Sequence, residues 1–289
     1  MADNSFTQKT VRVTVVLGQG SFGGGGNAKT IEGFGTDATI TKPGLPEKNK
    51  ATVKVTGLKY DDMAQMTMLA FKPLKSLKNL LTIQAGDAGD ANPPIAFKGE
   101  ITSAFADFNT APDVTFNIEA QSGSYPSLIP SPQETVRGQA TAESLIGKYA
   151  AECGYSFKNE GVTGSIKNAV LNGSPVEKMR AVADQVGCEL MIDDDSVVIM
   201  PPESSRSGNA VYLSKDSGLL GYPTFNADGI VLKAIYQPDF QLGGLVQVKS
   251  IVPRSSGTWK ITKLSHTLSA FKPQGGPWRS DIEAIYVGG

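Results

Sequence analysis

The sequence predicts a mainly β fold with an α+β insertion, and three observations carry that prediction. The last third alternates strand-like runs with regularly placed turns. The first part, up to Ala120, repeats β-branched and period-two runs between clusters of Gly, Pro, Asn and Asp. The two longer helical patterns lie together between Ala140 and Gly187. Thirty-two glycines and seventeen prolines suit a chain of many short strands and turns, and 289 residues leave room for two to three small domains.

Val11–Leu17 is a β-branched run stopped by a glycine cluster, and Ala38–Thr41 and Ala51–Gly57 follow as strands. Tyr60–Leu69 reads as a short helix. Asp61 and Asp62 lie in its first turn, and Met63, Met66 and Ala70 on one face. Leu80–Ala85, Ile95–Phe105 and Val114–Ala120 are further strands, so the first unit reads as a barrel or sandwich. Gly123–Gln133, with three prolines, reads as a linker or extended arm.

Thr141 is placed to cap a helix that ends at Gly154, with Leu145, Tyr149 and Ala150 on one side. Ser165–Leu171 is a short strand or a turn. Ser174 and Pro175 open a second helix with an apolar stripe of Val176, Met179, Val182, Ala183 and Val186, ended by Gly187. Glu189–Ile192 and Val197–Met200 form a hairpin across Asp193, Asp194 and Asp195. The polar stretch 203–209 reads as a linker. A closed barrel is then expected, with strands Gly229–Tyr236, Leu245–Ser250, Thr258–Leu268 and Trp278–Val287. The chain thus divides into 1–135, 136–202 and 203–289.

Hydrophobic residues make up 40% of the chain, charged residues 19%, and the formal net charge is −1. That balance argues against a protein that grips nucleic acid by neutralising phosphates. Two cysteines, Cys153 and Cys188, are too few for a secreted disulfide scaffold. No signal segment opens the chain and no apolar run is long enough to cross a membrane, so synthesis and folding in a reducing cytoplasm are expected.

No motif for chemistry survives inspection. Gly18, Gly20 and Gly23 fit a glycine-rich phosphate loop after a strand, but the following residues cannot start a stable helix, and no Gly-Lys-Ser/Thr is present. The kinase reading fails because the single histidine, His266, precedes Thr267, and neither Asp-Phe pair continues with Gly. The loop reads instead as a hairpin tip or a loop ordered by assembly. His266 reads as an edge or surface residue, and Cys153 and Cys188 as small core residues without zinc-ligand spacing. Asp193, Asp194 and Asp195 lack the alternate-position ligands of a calcium loop and read as solvated. No motif supports a pair of hydrolase carboxylates. No catalytic, cofactor-binding or metal residues are therefore expected.

Two sets of phrases resemble a known family. The first is FGTDATITKPGLPEKNKATVKVTGLKYDDMAQMTMLAF, then NLLTIQAGD and IAFKGEITSAFADFNTAPDVTFNIEAQSG. The second is GLLGYPTFNADGIVLKAIYQPDFQLGGLVQVKS. In order and wording they resemble baseplate hub proteins of contractile phage tails. The middle unit is similar to the small domain of such hubs and, more loosely, to secretin N-termini. The resemblance implies two tail-tube-like β-barrel domains flanking a small α+β domain. It implies a homotrimer whose six related barrels adapt a hexameric tail tube, or its initiator proteins, to a trimeric central spike. Baseplate wedge and tape measure proteins are further implied partners, with no membrane, and with DNA passing through the channel without specific binding. The implied location is the virion tail baseplate. A tail-associated peptidoglycan hydrolase, the hub of a phage-derived injection or secretion device, and a secretin-like module are the alternatives.

Overall fold

The computed structural model describes residues 7–22, 25–44, 47–67, 78–109, 111–128 and 130–288. The first part holds β1 (Lys9–Val16), β2 (Ala28–Ile31), β3 (Gly35–Lys42), β4 (Lys50–Thr56), α1 (Tyr60–Met66), β5 (Leu80–Asp87), β6 (Ile95–Asp107) and β7 (Thr115–Gln121). Alternation of buried and outward residues builds β3, β4, β5 and β7. In β4, Ala51, Val53 and Val55 are buried while Lys50 and Lys54 face water. α1 buries Met63 and Met66 as their spacing predicts; Met68, Leu69 and Ala70 of the predicted helix lie outside the described residues.

The middle part holds β8 (Glu134–Thr135), β9 (Gln139–Thr141), α2 (Ala142–Cys153), β10 (Ser156–Asn159), β11 (Ser165–Lys167), β12 (Val170–Leu171), α3 (Pro175–Val186), β13 (Glu189–Asp193) and β14 (Ser196–Met200). Thr141 caps α2 by accepting from the Ser144 N–H at 3.2 Å, and Gly154 ends the helix in the left-handed region. α3 has a full capping box. The Ser174 hydroxyl accepts from the Glu177 N–H, and the Glu177 carboxylate accepts from the Ser174 N–H at 2.7 Å. The two helices pack on each other and on β10, β13 and β14 around Ile146, Tyr149, Met179 and Val182.

The last part holds β15 (Val211–Leu213), β16 (Leu219–Phe225), β17 (Ile230–Ile235), β18 (Leu245–Val248), β19 (Gly257–Ala270) and β20 (Trp278–Gly288). Sequence periodicity missed β2, β15 and β16. β16 carries Gly221 and Pro223 inside it and is bulged between Leu220 and Thr224, which erases any alternation.

The expected closed barrels are not what the pairing forms. Among the described residues one 13-stranded sheet runs β16-β17-β20-β19-β3-β4-β7-β6-β5-β1-β2, with β15 joined through β18 to β19, and no path closes. β19 is the reason. Its first half pairs with β18 from Leu245↔Lys260 to Val248↔Gly257, and its second half pairs with β3 from Leu264↔Lys42 to Ala270↔Thr36. At about 3.3 Å per residue, this 14-residue strand is long enough to serve both on one edge. β20 lines its other edge. Separate cores remain on either side of the junction, one around Ile40, Val53, Phe97 and Phe116, the other around Leu232, Val246, Trp259 and Ile282.

Candidate functional site

The three consecutive aspartates of the β13–β14 turn do not face water as a group, contrary to the sequence expectation. Asp193 is buried and accepts from Lys42 Nζ at 2.7 Å, Arg206 Nη1 at 2.8 Å and Asn49 Nδ2 at 3.3 Å. Asp194 accepts from the Lys98 backbone N–H at 2.9 Å and pairs with Lys42 at 3.2 Å. Asp195, more exposed, pairs with Lys98 Nζ at 2.6 Å. The hairpin tip is thus clamped between the end of β3, the start of β6 and the 203–209 segment. That segment is more than a linker, since Arg206 belongs to the cluster and its N–H also donates to the Gly243 carbonyl at 2.8 Å.

The electrostatics follow from burial and pairing. Burial alone would discharge Lys42, but Asp193 and Asp194 hold its ammonium above the ordinary lysine value. Burial opposes the charge of Asp193 as well, yet Lys42 and Arg206 keep its carboxyl below the usual range. Burial pushes Asp194 up to about 6, with Lys42 opposing and Asp193 assisting. The carboxylates that a cation would need are already engaged by Lys42, Lys98 and Arg206, so the cluster is an internal lock.

His266 is not an edge residue. It lies in β19 between β3 and β20, is buried, shares a 2.8 Å hydrogen bond between Nδ1 and Ser280 Oγ, and meets the Tyr236 ring edge-on at 5.0 Å. Burial, helped by Lys42, pushes its pKa down to about 3. A Ser–His contact invites a catalytic reading, but both side chains are sealed within the sheet. An imidazole this weakly basic is poorly matched to general-base work near neutral pH.

A second tie runs from β19 to the middle part. Lys260, buried, donates to Glu189 at 2.8 Å and to the Pro202 carbonyl at 3.1 Å. Beside it opens a cleft of about 720 Å³ lined by Arg180, Asp184, Glu189, Lys263 and Glu283. Cys188 is half-buried on its wall, and Cys153 is buried at the C-terminal end of α2. Burial raises both thiols, Cys153 to about 11, which leaves neither as a thiolate at neutral pH.

The glycine-rich segment joins the antiparallel strands β1 and β2, as a hairpin connection should. Phe22 inserts into the core, and the Leu17 N–H donates to the Asn27 carbonyl at 2.8 Å. The segment leads into a strand, so the helix N-terminus that a phosphate loop needs is not there. Arg206, Lys42 and Lys260 were not singled out from sequence. A lysine at the inward-facing end of a strand is the one signal that would have marked Lys42.

A continuous sheet thus joins separate cores, and buried ion pairs tie the middle hairpin to both β parts. The same fold occurs in phage tail proteins. The tail protein of Neisseria meningitidis MC58 matches with TM-score 0.64 at 11% identity, over 96% of each chain. The 43 kDa tail protein of prophage MuSo2 from Shewanella oneidensis matches with TM-score 0.61 at 12% identity, over 96% of this chain and 97% of that one. A Francisella PdpA–VgrG complex matches with TM-score 0.58 at 8% identity, over 98% of this chain and 54% of that one. No curated protein matches the sequence. The baseplate hub gp41 family matches residues 10–272, and the chain belongs to that family. It is a virion structural protein of the phage tail baseplate.

Proposed function

We propose that the chain is a non-enzymatic baseplate hub that works as a homotrimeric ring. Each copy contributes two related, barrel-like β units, 1–135 and 203–289, set about the α+β unit 136–202. Three copies then present six similar units to the hexameric tail tube or its initiator proteins, while the three-fold face holds the central spike. Wedge and tape measure proteins are further neighbours, and DNA passes through the opening without specific binding. Assembly takes place in the host cytoplasm.

The observation that carries this reading is the family match over residues 10–272, which spans both β parts and the strand β19 that joins them. The locked junction supports it, because an adaptor must keep its units in register under load. Among the described residues β1 approaches β19 without pairing to it, which supports the barrel-like description of the first unit. Mass measurement with negative-stain imaging, alone and with tube and spike proteins, tests the proposal. A strict monomer that binds neither would sink it. Likeness to a PdpA–VgrG complex favours a second reading, the hub of a phage-derived injection device. Genomic neighbours separate the two. A zymogram on peptidoglycan tests the non-enzymatic part, and clearing that depends on one carboxylate of this chain would refute it.

A further inference from the structure

The turn that leads from β12 into α3 holds the one Asn-Gly pair of the chain, Asn172 and Gly173. Two local needs fix the glycine. Its φ is +91°, a region that side chains rarely adopt. A Cβ at this position would also sit 2.4 Å from Glu177 Oε2. That carboxylate is held by the capping box, where it accepts from the Ser174 N–H at 2.7 Å and from the Ser174 hydroxyl at 2.9 Å. The cap of α3 therefore imposes a glycine directly after Asn172.

Asn172 and Gly173 are both exposed, whereas Leu171 before them and Ser174 after them are buried. Among the described residues the Asn172 side-chain amide makes no hydrogen bond. Neighbouring asparagines are engaged. Asn159 Nδ2 donates to the Val162 carbonyl at 2.9 Å, and Asn168 Oδ1 accepts from the Gly138 N–H at 2.9 Å. Asn209 is exposed as well, but Ala210 follows it. The Asp-Gly pair of the chain, Asp228 and Gly229, is held differently, because the Gly229 N–H donates to Asn226 Oδ1 at 2.7 Å.

We infer that Asn172 is a site of spontaneous covalent modification, at which the side-chain amide is lost and the main chain is rerouted through an isoaspartate. Hydroxide takes the proton of the Gly173 amide, and the nitrogen attacks Asn172 Cγ. The new N–Cγ bond closes a succinimide ring. The Cγ–Nδ2 bond breaks, and the leaving nitrogen takes a proton from water, so ammonia departs and hydroxide is restored. Water then opens the ring. Attack at Cγ gives aspartate, and attack at the main-chain carbonyl carbon of residue 172 gives isoaspartate. Water is the only co-reactant. Glycine favours the first step because no side chain crowds its nitrogen and its backbone reaches conformations closed to other residues.

The surroundings decide what the two products do. Each carries a carboxylate where an amide stood, close to the N-terminus of α3, where negative charge is favourable. Isoaspartate also adds a methylene to the main chain between Leu171 and Ser174. Leu171 is paired with Glu134, and Ser174 is fixed by the capping box. The extra atom must therefore be taken up by the β8–β12 pairing or by the cap.

The test follows the folded full chain, as wild type, Asn172→Gln and Asn172→Asp, in mildly alkaline buffer by peptide mass spectrometry and an isoaspartate-specific methylation assay. The wild-type peptide that contains Asn172 should gain the mass difference between OH and NH2, with isoaspartate appearing alongside. It should do so at least about tenfold faster than the Asn209 peptide, which is a barrier lower by about 1.4 kcal/mol. Asn172→Gln should stay unmodified at this position. An Asn172 peptide that reacts no faster than the Asn209 peptide overturns the inference. Modification seen only in urea overturns it too, since the fold would then protect the site. Thermal melting reads the consequence. Aged wild type should melt below Asn172→Asp, which carries the charge without the added main-chain atom. Equal melting would show that the turn absorbs the insertion and would refute the effect on the cap and the pairing.

Discussion

Lys42 Nζ lies 2.7 Å from Asp193 Oδ1, and both side chains are buried although 151 positions separate them in the chain. The pair joins the last residue of β3 to the last residue of β13, fixing the middle hairpin against the first β part. Neither charge would survive burial alone, and each is satisfied by further bonds, Asp193 by Arg206 and Lys42 by Asp194.

Replacing Lys42 with Met leaves two buried carboxylates short of a cation. The expected loss is about 3–5 kcal/mol of unfolding free energy, typical of breaking a buried pair from one side. Guanidinium denaturation measures it. A loss below about 1 kcal/mol would show that Arg206 suffices for the cluster.

Stability should fall as the pH drops from 7 to 5, in part through His266. Its folded pKa of about 3 lies below the unfolded 6.5, so the unfolded state takes up protons first. This contribution is fully present above 6.5 and is lost as pH falls toward 3, at up to about 1.4 kcal/mol per unit. Asp194 acts in the opposite sense between about 4 and 6, since its folded pKa is raised. The comparison that isolates the histidine is wild type against His266→Gln. The variant should be less stable at pH 7 and show a flatter melting profile between pH 7 and 5. Equal slopes would contradict the buried, neutral imidazole.

Gly229 precedes β17 where a Cβ would sit 2.1 Å from the Ala284 carbonyl oxygen. Backbone cannot step aside as a side-chain tip does, so Gly229→Ala should cost about 1–3 kcal/mol by overpacking. Thermal melting reads the effect. Wild-type stability in the variant would mean that β17 and β20 separate easily at this end.

Ser174→Ala removes the side chain that accepts from the Glu177 N–H at the start of α3. A loss of about 1 kcal/mol is expected. Ser174→Asp should recover most of it, and a variant series by urea denaturation checks both.

Local signals were legible where one residue type answers one local need. Thr141, Ser174 with Pro175, and Gly154 and Gly187 marked the ends of both long helices, because capping is decided within a few residues. Alternation located β4 and a β-branched run located β1, since each buries one face. β16 was not legible, because its bulge breaks the period-two pattern. The aspartates of the hairpin were misread as solvated, because a turn of acidic residues looks the same in sequence whether water or Lys42 and Arg206 stand opposite. His266 was misread as an edge residue for a similar reason: the strands that flank it come from distant parts of the chain.

The sequence by itself determined the mainly β character, the helix ends and the division of apolar from polar faces, all of which follow from periods of 2 and 3.6 and from caps. Its ordered phrases also pointed to the hub family, which the match over residues 10–272 bears out. Only the tertiary structure decided that β19 joins the two β parts into one sheet, that Lys42, Asp193 and Arg206 meet, and that His266 is enclosed between β3 and β20. Those are relations between residues far apart in sequence. Pairing and burial there depend on which strands become neighbours, and no local pattern carries that information.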